Sequence, residues 1–369
     1  MNKPNPHDYS VLFQGNFNAS GFMCEVFMHT SLAGGNILLI QTNDTWNTFM
    51  LKEKEQECLT IGLELFSSKE KYQQYASDLR QKIKEGQKLI QTYKKIPNKI
   101  LKRELQEVFS LLGSFWYAYG FTEFPYHDLA YKELEKANNP LLKKNLTDFA
   151  KLKFEGRAFL NAVAFERGII PNIITSLSKT FFQDNHSAHY LFFGELMQLL
   201  NGEKIPSSIV TERKEGYTLL SQDRKIIERF TGKKHLQIAQ KFLAVEESSQ
   251  LQGVPAHPGK VHGTAIIVPM LMNIKEVHIL EKSMHQGDIL IAQTTGPELM
   301  NLCHKAAAIV TDQGGMLSHA AVISREFKIP CIVGTINATK VFKDGDLIEV
   351  DANQGIVKKL KNNINEETH

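Results

Sequence analysis

TDQGGMLSHAAVISREFKIPCIVGT, residues 311–335, decides the fold of the C-terminal part of this chain. The apolar run AAAIVTD (306–312) before it reads as a buried strand ending at Thr311 and Asp312. Gly314 and Gly315 then permit positive φ and leave the backbone bare, so that N–H groups can approach an anion. Ser318 is a good N-cap, which starts a helix at His319. The dipole and uncommitted N–H groups of a helix N-terminus favour negative charge there. A histidine at that point can carry a phosphoryl group covalently. Geometry alone leaves a plainer reading open, because Gly-Gly turns before helices are common and a histidine at a helix start often serves as a cap or surface residue.

Outward from this stretch, GTAIIVP (263–269), GDILIAQ (287–293) and IPCIVGT (329–335) read as short strands. GDLIEVDANQGIVKKL (345–360) reads as a closing hairpin, and together these segments define a compact α/β unit. LQGVPAHPGKVH (251–262) carries two prolines and two glycines and reads as a linker or domain entrance. The chain before it is mostly helical. Tyr72, Tyr75, Leu79, Ile83 and Ile90 share one helical face that ends before Pro97, and Leu101, Leu105, Val108, Leu112, Phe115 and Tyr119 form a second stripe. Further helices are expected at 126–138, 141–168 and 188–200, with a hairpin at 36–51 and a strand at 216–221. The expected fold is thus α+β and multidomain. A mainly α-helical domain at 1–250, for substrate or partner binding, precedes a swivelling α/β domain at 251–360 and a polar tail at 361–369.

The pattern Thr311, Asp312, Gly314, Gly315, Ser318, His319, Ala320, Ala321, then Ser324, Arg325, Glu326, Ile329, Pro330, Val333, Gly334 and Thr335, resembles the phosphohistidine domain of the PEP-utilising enzymes. That family includes phosphoenolpyruvate synthase, pyruvate phosphate dikinase and rifampicin phosphotransferase. Thr294, Thr295 and Pro297 match its Thr-x-Pro stretch, and Gly253, Pro255, Pro258, Gly259 and Gly263 match the start of the domain. Asp344, Gly345, Asp346, Val350, Asp351 and Gly355 match its closing hairpin. The resemblance implies that His319 is the phosphorylated residue, with Thr311, Asp312, Gly314, Gly315 and Ser318 forming the phosphate loop. Thr295, Arg325, Gly334 and Thr335 belong to the family pattern. Arg325 lies about one and two-thirds turns beyond His319, off its face.

The family also uses an ATP-grasp module and a TIM-barrel or other acceptor module. A barrel needs about 250 residues, whereas only residues 361–369 follow the histidine domain. No GxxxxGK[ST] loop occurs, and Thr231-Gly232-Lys233-Lys234 is not one. The resemblance therefore implies a split phosphotransferase, with ATP and magnesium on a separate ATP-grasp protein and no cofactor bound by this chain. The helical domain would hold the acceptor, a small molecule among the candidates. The competing expectation is a non-catalytic binding or regulatory protein that keeps the fold, against which the retained Gly-Gly and Ser-His pairs argue. Met1 and the polar tail lead us to expect a complete chain.

Composition bounds these readings. The 369 residues are 42% hydrophobic and 22% charged, which excludes disordered and collagen-like classes. A net charge of +3 gives no argument for nucleic acid. Cys24, Cys58, Cys303 and Cys331 form no CxxC, so neither a zinc site nor a disulfide framework is expected. With no apolar h-region and no apolar run of spanning length, a cytoplasmic protein off the membrane is expected. His186 and His189 are the remaining candidate metal pair, but they lack a partner ligand and read as loop or cap residues. Nine Lys or Arg against Glu85 over residues 80–103 read as a solvated helix face. Phe115-Trp116-Tyr117 and Phe181-Phe182 read as core, or as pocket lining if the domain binds an apolar acceptor.

Overall fold

The computed structural model describes residues 4–15, 18–30, 36–43, 45–93, 100–122, 126, 139–164, 168–243, 250–268, 274–296, 299–316 and 318–360. The chain forms two compact units, residues 1–243 and 244–369.

The first unit pairs helices with an antiparallel sheet. Its strands are β1 (Tyr9–Gly15), β2 (Ile37–Gln41), β3 (Trp46–Leu51), β4 (Tyr217–Gln222) and β5 (Lys225–Phe230), in the order β1-β3-β2-β4-β5. The expected hairpin is β2–β3, with Ile37 opposite Met50. The expectation for the first domain is mainly helical with a hairpin and one further strand; the sheet is larger than that, its five strands coming from both ends of the unit. Helices still outweigh strands: α1 (Gly21–Thr30), α2 (Glu55–Ser67), α3 (Lys69–Thr92), α4 (Lys102–Tyr119), α5 (Pro140–Ala164), α6 (Ile169–Phe182), α7 (Phe193–Leu200), α8 (Ser207–Lys214) and α9 (Gly232–Leu243). α3 starts where Ser68 accepts a hydrogen bond from the Lys71 N–H (3.2 Å). It buries Tyr72, Ala76, Leu79, Ile83 and Leu89 along one face. It ends at Thr92, and Pro97 lies outside the described residues, as does the helix expected over 126–138 apart from Tyr126.

The aromatic runs divide. Phe115 and Trp116 are buried, and Trp116 packs on Phe27 (5.4 Å) and Trp46 (5.9 Å), whereas Tyr117 and Phe181 are exposed. Arg213 joins α8 to α7 through two bonds to the Glu195 carboxylate (2.6 and 2.8 Å) and one to the Tyr190 carbonyl (2.9 Å). His186 is exposed at the start of a 3-10 turn (Ser187–Tyr190), and His189 Nε2 meets Asn18 Oδ1 at 3.1 Å.

The second unit is built on β6 (Gln250–Gln252), β7 (Val254–His257), β8 (Lys260–Val268), β9 (Ile289–Ala292), β10 (Ala308–Thr311), β11 (Cys331–Val333), β12 (Leu347–Asp351) and β13 (Ile356–Lys359). Their order is β6-β13-β12-β8-β9-β10-β11-β7. β8, β9, β10 and β11 run parallel, with Ala308 and Ala265 both level with Ile289 and Ile309 level with Cys331. Alternation along these strands sends Leu290, Ile309 and Val333 into one core and Ile289, Ile291, Val310 and Ile332 into another. α10 (Ile274–Ser283), α11 (Met300–Lys305), α12 (His319–Phe327) and α13 (Ala338–Val341) cover the sheet. α12 contributes Ala320, Ala321 and Ile323 to the first core, and α13 contributes Ala338 to the second.

The linker expected at 251–262 is strand instead. β6 pairs antiparallel with β13 and β7 with β11, so consecutive segments occupy the two ends of the strand order, with only Gly253 between them. The sheet therefore curls until its edges meet. Gly253 is required at this seam, because a Cβ there would stand 2.6 Å from Ile332 Cγ2 and 2.8 Å from the Val333 carbonyl oxygen. Pro255 is tolerated because it lies on an edge strand. The tail at 361–369 lies outside the described residues.

Candidate functional site

The loops that follow the carboxyl ends of β9, β10 and β11 converge on one place, as expected for a site on parallel strands. Backbone bonds continue the ladder past the strands: the Asp312 N–H donates to the Ala292 carbonyl (3.0 Å) and the Gln313 N–H to the Gln293 carbonyl (2.9 Å). The loop after β11 is tied in by Thr335, whose N–H and Oγ1 both donate to the Thr311 carbonyl (3.0 Å each). The Ile336 N–H donates to the Asp312 carbonyl (2.9 Å). Three consecutive loops thus share one hydrogen-bonded floor.

On this floor the Gly-rich segment turns into α12. Gly314 takes φ +111°, and a Cβ there would come within 2.8 Å of Ser318 Cβ, so glycine is needed on two counts. Gly315 plays a different part from the one expected. It is not among the glycines with positive φ, it is buried, and its carbonyl accepts from the Ser318 N–H (3.0 Å). Gly334, at φ +70°, brings its backbone against the loop, with the Gly314 carbonyl oxygen 3.2 Å from where a Cβ would sit. Ser318 caps α12 by accepting from the Ala321 N–H (3.3 Å).

His319 is the first residue of α12 and is half-buried. Its Nδ1 lies 3.0 Å from the Thr295 hydroxyl, which comes from the loop after β9. Thr295 is itself buried, so this contact is held away from competing water. Two residues 24 positions apart therefore meet at the ring whose chemistry is in question. Pro297 and Glu298 of the same stretch, and Leu317 of the phosphate loop, lie outside the described residues.

Other expected loop residues brace the site from beneath. The Thr311 hydroxyl donates to the Gln313 carbonyl (2.7 Å). The Asp312 carboxylate is turned to α13, accepting from the Thr339 N–H (3.0 Å) and from the Thr339 hydroxyl. Its place in the phosphate loop is therefore that of an anchor and not of a phosphate contact, since a carboxylate beside a phosphoryl group would repel it. Burial pushes the Asp312 carboxyl up to about 6. Arg325 leans back along α12, and its Nη2 donates to the Met316 carbonyl of the loop (2.8 Å).

Sequence reasoning missed the Arg325–Met316 and Asp312–Thr339 links. The Asn337-Ala338-Thr339 start of a short helix was the available signal for the second; the first depends on loop geometry. Among the described residues no group of three or more His, Cys, Asp or Glu side chains is placed to hold a metal, and no helix is long and apolar enough to cross a membrane. All four cysteines are buried and unpaired by disulfides, and burial raises the Cys24 and Cys331 thiols to about 12. His262 is paired with Glu349 (2.8 Å) and His304 is stacked on Phe327 (3.7 Å), so neither adds to the site.

Comparison with known proteins now places this unit. Residues 284–355, within the C-terminal unit, match the family described as "PEP-utilising enzyme, mobile domain". The chain is 44% identical over 115 residues to phosphoenolpyruvate synthase of Aeropyrum pernix, covering 31% of this chain and 13% of that protein. It is 38% identical over 149 residues to phosphoenolpyruvate synthase of Pyrococcus furiosus, covering 40% and 17%. The chain thus spans less than a fifth of the length of these relatives. Among solved structures, Thermococcus kodakaraensis aconitase X overlaps 30% of this chain and 98% of that chain at 18% identity, with a TM-score of 0.24 too low to bear on the fold.

Proposed function

We propose that this chain is a phosphotransferase component in which His319 carries a phosphoryl group from an ATP-grasp partner protein to an acceptor held by the N-terminal unit. The observation that carries the reading is the 3.0 Å contact between Thr295 Oγ1 and His319 Nδ1 at the start of α12. In the productive tautomer Nδ1–H donates to the threonine hydroxyl and the lone pair resides on Nε2. The hydroxyl can accept from Nδ1–H or donate to a bare Nδ1, so the contact orients the ring and occupies Nδ1 in either tautomer, which leaves Nε2 as the attacking atom.

ATP and magnesium belong to the partner in this scheme, where the cation offsets the phosphate charge. In the first half-reaction Nε2 attacks a phosphorus of ATP. The N–P bond forms as the P–O bond to the leaving nucleotide breaks, and its electron pair departs on that oxygen. In the second, an acceptor nucleophile attacks the same phosphorus and the N–P electron pair returns to Nε2. Nδ1–H stays on Thr295 throughout. The α12 N-terminus and the backbone around Gly314 favour the dianion on the ring. Any swivel lies before Gln250, because residues 250–262 are built into the sheet. A cytoplasmic setting, where ATP is supplied, suits this chemistry.

The test is labelling with ATP carrying 32P in the β or γ position, with and without a separate ATP-grasp protein. Acid-labile, base-stable label on the wild type and none on His319→Ala supports the carrier. Absence of label under every pairing refutes it and leaves a binding module.

A further inference from the structure

The Arg325 guanidinium presents an imbalance that the braced loop does not explain. Nη2 is satisfied by the Met316 carbonyl (2.8 Å), while Nη1 is buried with no hydrogen-bond partner. No carboxylate pairs with this cation among the described residues. At the other end of the same loop Gln313 buries its Nε2, also without an acceptor. Buried donors are nearly always satisfied, and a cation with one buried donor idle and no counter-charge is costly. Both idle donors flank the segment that precedes His319.

We propose that Arg325 is a positioning residue for the phosphorylated state: it holds the loop through Met316, and its idle Nη1 is the donor available to stabilise that loop once His319 carries a phosphoryl group. This inference rests on the phosphohistidine reading above. The uncommitted donor favours the phosphorylated loop, which brings acceptor oxygens to it. A plainer role, in which a cation in the last turn of α12 complements the helix dipole, requires only charge. It requires neither the bond to Met316 nor the buried donor.

Lysine separates the two roles, since Arg325→Lys keeps the charge and one donor but loses the forked geometry. The full chain is treated with potassium phosphoramidate, which needs no partner protein. A histidine nitrogen attacks its phosphorus, the new N–P bond forms, and ammonia leaves. 31P NMR and peptide mapping follow the signal on His319. The expected result is a phosphohistidine lifetime about tenfold shorter in Arg325→Lys, equivalent to about 1.4 kcal/mol, with an unchanged melting temperature before treatment. Equal lifetimes overturn the proposal. A second measurement needs no Arg325 variant: treatment should raise the melting temperature of the wild type and leave His319→Ala unchanged, and no rise in the wild type overturns the proposal. Failure of any signal to form on His319 refutes the carrier reading itself and the proposal with it, an outcome distinct from a signal of unaltered lifetime.

Discussion

Replacing Thr295 by valine removes one hydroxyl and tests the link on which the proposed chemistry depends. Thr295 is buried, and its Oγ1 lies 3.0 Å from His319 Nδ1. Valine fills nearly the same volume, so the packing beneath the loop is kept while Nδ1 loses its partner. Losing this hydrogen bond at a half-buried ring costs about 1–2 kcal/mol. If that bond aligns the ring in the transition state, the rate of His319 phosphorylation falls about five- to thirtyfold. The ring is also released to attack through either nitrogen, so the product should contain Nδ1-phosphohistidine as well as the Nε2 form. Single-turnover labelling gives the rate, and 31P NMR of the denatured product distinguishes the isomers. A Thr295→Val protein that labels at the wild-type rate, solely on Nε2, refutes the argument that this hydroxyl orients the ring and directs attack to Nε2.

The remaining predictions concern stability. Burial raises the folded Asp312 pKa to about 6 from an ordinary 3.8, so the folded state holds this proton more tightly than the unfolded state. The C-terminal unit should lose about 3 kcal/mol from this group as pH rises from about 4 to 6; Asp312→Asn should flatten that slope in urea titrations, and an unchanged slope counts against it. The N-terminal unit should behave in the opposite sense. His189 and His235 are both depressed to about 4 by burial, so stability is lost as pH falls from 6.5 toward 4. Each histidine is worth about 3 kcal/mol at most, and a His235→Gln protein melting with the same pH dependence as wild type would contradict this. Gly253→Ala should destabilise the C-terminal unit by about 1–3 kcal/mol through overpacking against Ile332 and Val333, measured as a lower urea midpoint; an unaltered midpoint shows that the seam can relax.

The legible parts of this fold were those in which local and global signals agree. The strands at 289–292 and 308–311 are wholly buried apolar runs bounded by turn residues, and Ser318 marks its helix by capping chemistry alone. What escaped was decided at longer range. β5 alternates exposed and half-buried positions along KIIERF, a faint signature without its partner β4. β6 and β7 read as a linker because their prolines and glycines are permitted only at a sheet edge, and which strand lies at an edge is a property of topology. Ile336 defies propensity outright: a β-branched residue at φ +74°, held by its N–H bond to the Asp312 carbonyl. At the site, the motif located His319 but gave no account of Arg325 reaching back to Met316 or of Asp312 facing Thr339.

The seam at Gly253 bears on how this unit can live in solution. An eight-stranded sheet left open would end in two rows of unsatisfied backbone groups, a template for pairing with other copies of itself. Here one short stretch of chain serves both margins, and the Gly253 N–H is spent on the Gly355 carbonyl at 2.8 Å. The position of each edge strand is thereby tied to the other through a single residue, and that residue has no side chain at all.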